Sequence, residues 1–177
     1  LVFPELKHIK RINKLDSLSI EILKDKKFEF ILSLFLIDKS EDCEYFVYKY
    51  SLSNKEKDTI NLLSSIFSED QNQDFFNKDN LSRILHKNGK ENLIDILDYK
   101  ILTVKKNKNS YVDLKKYFIE LEIPVLPVKA KDLIEKFGLK EGKLLGLILR
   151  EIEESWLDNN FKISNNQIED IVKSKRI

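Results

Sequence analysis

A stretch near the middle of the 177-residue chain carries the strongest chemical signal in the sequence. Between residues 100 and 117, six lysines stand against one acid, Asp113, which gives a local net charge of +5, and tyrosines are interleaved with them. Lysines contact phosphates and tyrosine rings stack on unpaired bases, so the pattern suits an RNA backbone. A solvated lysine-rich loop is the alternative. The lysines are Lys100, Lys105, Lys106, Lys108, Lys115 and Lys116, of which the last five are candidate phosphate contacts, and the tyrosines are Tyr99, Tyr111 and Tyr117.

A second candidate is the glycine-rich stretch "GLKEGKLLGLIL" at residues 138–149, which holds three of the four glycines. Gly138 is predicted to end one helix in a left-handed cap, and Gly142 to open the next. Gly142 and Gly146 share one face, where bare backbone admits either a neighbouring helix or a phosphate. Lys140 and Lys143 flank this helix start, so Lys140, Gly142 and Lys143 join the candidate phosphate contacts.

A smaller basic cluster lies near the start of the chain. Lys7, Lys10, Arg11 and Lys14 are spaced for one face of a helix beginning near Pro4. Like the central lysines, this cluster would read charge and not base identity.

Residues for covalent or metal chemistry are not apparent. Chemistry that uses two metal ions needs carboxylates set close together, and the sequence contains no Asp-x-Asp. Asp95 and Asp98 share a helix face but have no third ligand, so they are predicted to be solvated surface. His8 and His86 are far apart, with no Cys or His at metal-ligand spacing. We therefore predict neither catalytic residues nor a metal site.

Composition limits the class of protein. With 31 basic and 30 acidic residues, any polyanion must be met by local patches. The longest apolar stretch, residues 30–37, is too short to cross a bilayer, which predicts no membrane partner. The single cysteine, Cys43, cannot form a disulfide within the chain, which favours a reducing compartment such as the cytoplasm. Cys43 itself is predicted to be a small buried core residue. The chain opens on Leu1 and contains no methionine, which suggests a piece of a larger protein.

Apolar residues recur at spacings of three and four nearly throughout, which predicts an all-α, irregular multi-helix bundle. A helical region is expected over residues 19–37. Ser53 with Glu56, and Ser164 with Gln167, form capping-box patterns at helix starts.

Two further signals set the domain organisation. Ser110 and Asp113 are expected to cap the helix that follows them. The prolines of "EIPVLP" predict an extended linker over residues 122–127. The sequence thus divides into a helical body, residues 1–121, and a helical tail, residues 122–177, with the glycine-rich helix-turn-helix.

The segment at residues 126–161 resembles the carboxy-terminal signature of class II CCA-adding tRNA nucleotidyltransferases and bacterial poly(A) polymerases. "YSLSNKEKDTI" (50–60) and "FPELKHI" (3–9) resemble other segments of that family. The sequence departs from the family at Ala130, where glycine is usual, and at Glu141 and Lys143, where prolines are usual. The matching positions are Pro127, Asp132, Leu133, Gly138, Gly142, Gly146, Leu149 and Trp156.

The resemblance implies the body and tail of such an enzyme, without its β-containing catalytic head. In the family the head holds Mg²⁺ and adds nucleotides to RNA 3′ ends, while body and tail hold the RNA, typically tRNA. The resemblance leaves open whether the whole enzyme adds CCA or poly(A).

Two other function classes remain open from the residues alone. One is a protein-interaction scaffold, in which exposed Phe75 and Phe76 meet a protein partner. The other is a helix-hairpin-helix DNA binder, although the turn between Gly138 and Gly142 is longer than that motif's usual Gly-x-Gly.

Overall fold

The structure, a computed structural model, describes residues 9–35, 40–69, 75–122, 124–159 and 161–175. Over these ranges the chain is α-helical without a strand, which confirms the all-α prediction. A 3₁₀ turn, Ile9–Arg11, comes first. The α-helices are α1 (Ser17–Lys24), α2 (Phe28–Phe35), α3 (Ser40–Tyr50), α4 (Asn54–Glu69), α5 (Lys78–Thr103), α6 (Lys108–Glu120), α7 (Ala130–Phe137), α8 (Lys143–Asp158) and α9 (Asn165–Ser174).

The helices form two compact units, Leu1–Leu121 and Glu122–Ile177. In the N-terminal unit, α5 packs along α6, α2 packs on α4, and α3 covers α4. Three groups of buried side chains hold it together because each helix has an apolar face to remove from water. The largest group contains Ile22, Phe30, Leu34, Leu63, Ile96, Tyr99, Ile101 and Leu102. Leu81, Leu85, Leu93, Leu97 and Phe118 join α5 to α6, and Leu32, Cys43, Phe46 and Ile60 join α2, α3 and α4.

The helical region predicted over residues 19–37 is divided into two helices, α1 and α2. The helix α1 ends at Lys24, with Asp25 as its C-cap at φ −98° and ψ 3°. The chain then turns so that the Lys26 ammonium reaches two carboxylates of α5, and α2 begins at Phe28. A contact 69 residues away therefore overrides a local apolar period that would allow one helix. Residues 36 and 37 lie outside the described ranges.

Helix α5 changes direction at Gly89, where φ is 82° and ψ is 166°. This backbone conformation is open almost only to glycine, so Gly89 interrupts the helical geometry within α5. The following residue, Lys90, donates from Nζ to the carbonyls of Ile119 and Leu121, each at 2.8 Å. The lysine that follows the break in α5 therefore donates hydrogen bonds to carbonyls that have no intrahelical donor at the end of α6.

Both predicted capping boxes are present. The Ser53 N–H donates to Glu56 at 2.7 Å, and the Ser164 N–H donates to Gln167 at 2.8 Å, with the Ser hydroxyls accepting in return. Bonding to Ser53 holds the pKa of the Glu56 carboxyl below its usual value.

The predicted cap at Ser110 and Asp113 is wrong. The helix α6 begins earlier, at Lys108, after Asn107 adopts the left-handed conformation with φ 59° and ψ 30°. Asparagine tolerates that conformation better than most residues. The start of α6 is therefore set by the conformation of Asn107.

The C-terminal unit is built from α7, α8 and α9 around its own core. Gly138 takes the predicted left-handed cap, with φ 62° and its N–H donating to the Ile134 carbonyl at 2.9 Å. The described residues of the predicted linker, 122 and 124–127, are non-helical, and Lys129 is extended just before α7. Among the residues that the structure describes, no helix has the length and apolarity to cross a membrane. The buried core side chains are Leu133, Leu139, Leu145, Ile148, Ile152, Ile168 and Val172.

Candidate nucleic-acid interface

The central lysines fall into two groups in the structure. Lys105 and Lys106, between α5 and α6, and Lys116, on α6, are exposed. No carboxylate of the described residues pairs with any of these three. They are therefore the lysines of the stretch most open to an external phosphate.

Lys108 is engaged within the protein. Its Nζ donates to both carboxylate oxygens of Asp16, at 2.9 and 2.7 Å, and to the Ser19 hydroxyl at 3.1 Å. Asp16 also caps α1 by accepting the Ser19 N–H at 2.8 Å. The hydrogen bond from Lys108, followed by those from Ser19, holds the pKa of the Asp16 carboxyl far below its usual value. Lys108 thus ties the start of α6 to the start of α1.

Lys115 is also engaged, through a buried acid. Its Nζ lies 2.5 Å from Asp98 Oδ1, and the Asp98 side chain is 2% exposed. Lys26 Nζ contacts the same residue at Oδ2, 2.7 Å away, and Asp95 at 2.5 Å. The prediction that Asp95 and Asp98 form solvated surface is wrong, because Lys26, between α1 and α2, pairs with both acids and Lys115, on α6, pairs with Asp98.

Burial shifts the ionisation of this cluster. Burial raises the pKa of the Asp95 carboxyl, and Lys26 offsets only part of that effect. Burial by itself lowers the pKa of the Lys26 ammonium, but Asp98 and Asp95 together raise it above its usual value. The ammonium of Lys26 is therefore held charged by its carboxylate partners.

The three tyrosines differ in what they can offer. Tyr99 is 6% exposed and belongs to the core, and Tyr111 packs its ring edge-on against Phe76. Lys100 lies over both the Phe76 and Tyr111 rings. Only Tyr117 among them is exposed, with 40% of the residue accessible to solvent.

A residue that the sequence pattern does not suggest, Lys78, lies beside Tyr117. Its Nζ is 4.1 Å from the centre of the Tyr117 ring. Lys78 begins α5 while Tyr117 lies near the end of α6, so only the packing of those helices brings them together. No local spacing could have indicated this pair. The two residues line a shallow depression with Ser110, Asp113 and Leu114.

The glycine-rich helix start in the C-terminal unit is open. Gly142 precedes α8 with φ 150°, and a methyl group built on Gly142 or Gly146 would meet no described atom within 4 Å. The alternative that a neighbouring helix packs on these glycines is therefore wrong for the described residues. Lys140 and Lys143 are exposed beside this start, as is Glu141.

Other residues matching the family signature have structural roles. Asp132 Oδ2 accepts the Lys129 N–H at 2.8 Å at the start of α7. Leu133 and Trp156 are each 1% exposed. Leu133 and Trp156 are therefore buried residues that stabilise the unit, and Asp132, which is exposed, caps the start of α7.

Most of the helix expected to begin near Pro4 lies outside the described residues, which start at residue 9. In the described part, Ile9–Arg11 form one 3₁₀ turn, and Lys14 follows in non-helical backbone. Arg11 Nη1 donates to the carbonyls of Ser33 and Leu34, at 3.2 and 3.3 Å. Lys7 lies outside the described residues.

Two further observations bear on function. Phe75 and Phe76 are half-buried and pack against the core of the N-terminal unit, so the prediction that they are exposed to a protein partner is wrong.

Within the described ranges, no three Asp, Glu, His or Cys side chains are grouped to hold a metal ion.

Comparison with known proteins places the chain in a family. Residues 23–173 match the family described as tRNA nucleotidyltransferase domain 2, and this segment covers most of each unit. Neither a curated protein nor a solved structure gives a significant match. Because the matched segment covers most of the sequence, the chain belongs to the tRNA nucleotidyltransferase domain 2 family.

Proposed function

We propose that this chain binds RNA, specifically tRNA, and positions its 3′ end for nucleotide addition by a catalytic head of the same protein. The observation that carries the proposal is that Lys105, Lys106 and Lys116 stay exposed in a member of a tRNA nucleotidyltransferase family. The remaining lysines of the stretch are committed to contacts within the unit. Unpaired surface lysines in such a family fit contacts to RNA phosphates.

The start of α8 is a second contact in this proposal. Its first backbone N–H groups lack intrahelical acceptors, and Gly142 has no side chain to cover them. Lys140 and Lys143 add positive charge beside it. A phosphate fits here because no described atom occupies the space next to Gly142 and Gly146.

The chemistry of addition belongs to the head in this proposal. The head would hold Mg²⁺ through its own carboxylates, since the described acids of this chain are paired or dispersed. The working compartment would be the cytoplasm. Whether the head adds CCA or poly(A) is decided there, so the role of this chain is the same in either case.

The test is tRNA binding measured across a series of salt concentrations. Reversing Lys105, Lys106 and Lys116 to Glu should weaken binding and lower the slope of log affinity against log salt by about 3 in magnitude, roughly 1 for each phosphate that is no longer bound. The charge-matched control reverses Lys24, Lys87 and Lys173, which are exposed elsewhere. If the two triple variants weaken binding equally, RNA is attracted by the overall charge of the protein, and the proposed contact at Lys105, Lys106 and Lys116 is wrong.

A separate variant tests the second contact. Reversing Lys140 and Lys143 should lower the slope by about 2. Binding of a duplex DNA of the same length is measured in parallel. The helix-hairpin-helix alternative requires the DNA to bind better than tRNA. If tRNA does not bind even at low salt, the proposed function is wrong.

A further inference from the structure

From the depression between α5 and α6, we infer a binding site for one unpaired nucleotide of the RNA. The inference rests on the proposed function, and it adds a kind of recognition that exposed lysines alone do not supply. The site is lined by Lys78, Ser110, Asp113, Leu114 and Tyr117.

The spacing along α6 explains why these side chains converge. Ser110, Asp113, Leu114 and Tyr117 follow each other at intervals of three, one and three, and therefore lie along one face of the helix. Leu114 turns partly inward against the core that joins α5 and α6, which fixes this face toward the first turn of α5. Lys78 then closes the depression from α5.

Tyr117 supplies a fixed aromatic surface. Its ring packs edge-on against Phe118, with centroids 5.0 Å apart and planes at 83°, and Phe118 is fully buried. The ring is thus held from behind while 40% of the residue stays in solvent. An exposed ring that is held in place can stack on any of the four bases, because each base has a flat face.

Lys78 supplies the positive charge of the site. The Lys78 ammonium lies over the Tyr117 ring at 4.1 Å, which is within the range of a cation–π contact. A base stacking on that face would displace the ammonium toward the phosphate attached to the same nucleotide. The exposed lysine would then exchange a ring contact for a charge-assisted hydrogen bond.

The other polar groups suit the sugar and base more than the phosphate. The Asp113 carboxylate is exposed and accepts hydrogen bonds, so it repels a phosphate but can accept from a ribose 2′-hydroxyl or a base amine. The Ser110 hydroxyl can donate or accept. Four of the five lining residues carry polar groups, and this composition fits a nucleotide better than an apolar peptide.

The experiment compares two RNA hairpins with the full 177-residue chain. One hairpin carries a short unpaired 3′ overhang containing 2-aminopurine, and the other is blunt. Tyr117→Leu should weaken binding of the overhang hairpin about 10-fold and abolish the fluorescence quenching of 2-aminopurine, because the stacking surface is removed. Binding of the blunt hairpin should not change. Tyr117→Phe keeps the ring and should retain most of the affinity.

Tyr48→Leu is the matched control, because Tyr48 is 88% exposed on α3 of the same unit. If Tyr117→Leu affects both hairpins equally, or no more than Tyr48→Leu does, the nucleotide site is wrong. If the overhang hairpin binds with a steep salt dependence but Tyr117→Leu has no effect, only this inference fails. If neither hairpin nor tRNA binds, the proposed function fails with it.

Discussion

Lys115 Nζ lies 2.5 Å from Asp98 Oδ1, and the Asp98 side chain is almost completely shielded from water. The pair joins α6 to α5, and Lys26 brings the segment between α1 and α2 to the same carboxylate. A buried acid with two basic partners is costly to disrupt, because removing one partner leaves charge in a poorly solvated place. This relationship therefore makes Lys115 a structural residue within a lysine-rich surface.

Removing Lys26 should destabilise the protein. Lys26→Met leaves Asp95 without its described partner and Asp98 with Lys115 alone. We expect the free energy of unfolding in urea at neutral pH to fall by about 3 kcal/mol. Lys27→Met is the matched control because its ion pair with Glu91 is more than half exposed, and its effect should be much smaller. Equal decreases for the two variants would contradict a special role for the buried cluster.

Charge on Asp16 should contribute to the pH dependence of stability. Its folded-state pKa lies below the unfolded value of 3.8, so its contribution is present above that value and is lost as pH falls through the folded pKa. Asp16→Asn keeps a good helix cap but removes the charge. The stability difference between wild type and variant should be constant above about pH 5 and shrink below about pH 4. Denaturant melts at several pH values measure it, and a difference independent of pH would contradict it.

Alanine substitutions of Lys108 and Lys106 should affect different properties, the first the stability of the protein and the second its contact with RNA. Lys108→Ala removes the bonds to Asp16 and Ser19, so it should lower the unfolding midpoint while leaving the salt dependence of tRNA binding unchanged. Lys106→Ala should do the reverse and reduce the salt slope by about 1. The two residues are two positions apart, which makes them controls for each other. A reduced slope in the Lys108 variant would show that Lys108 contacts RNA as well.

The glycines should respond to alanine in opposite directions. Gly89→Ala should cost about 2 kcal/mol of unfolding free energy, because φ 82° with ψ 166° strains any residue with a β-carbon. Gly138→Ala, at φ 62° and ψ 30°, should cost about 1 kcal/mol. Gly146 lies within α8 with open space beside it, so Gly146→Ala should stabilise by about 0.5–1 kcal/mol. Thermal unfolding of the three variants tests the order.

Local signals are enough to predict much of the fold. The capping boxes at Ser53 and Ser164 and the cap at Gly138 depend on residues within four positions, and all three are confirmed. The apolar period likewise predicts the all-α class, because each helix must bury one face.

The errors at Asp98, at Lys108 and at the start of α6 involve partners distant in sequence or an unexpected backbone conformation. Asp98 meets Lys115 and Lys26, and Lys108 meets Asp16 from 92 residues away, so composition alone cannot separate engaged lysines from exposed ones. The start of α6 differs from its predicted position because Asn107 adopts a left-handed conformation that a capping pattern does not indicate.

The hydrogen bonds of Lys90 determine where the chain can be shortened. Its ammonium holds the carbonyls of Ile119 and Leu121, the latter being the last residue of the N-terminal unit. A truncation after Leu121 keeps both acceptors, whereas one before Ile119 removes them and leaves Lys90 without these partners. Expression of the N-terminal unit alone should therefore end at or beyond Leu121.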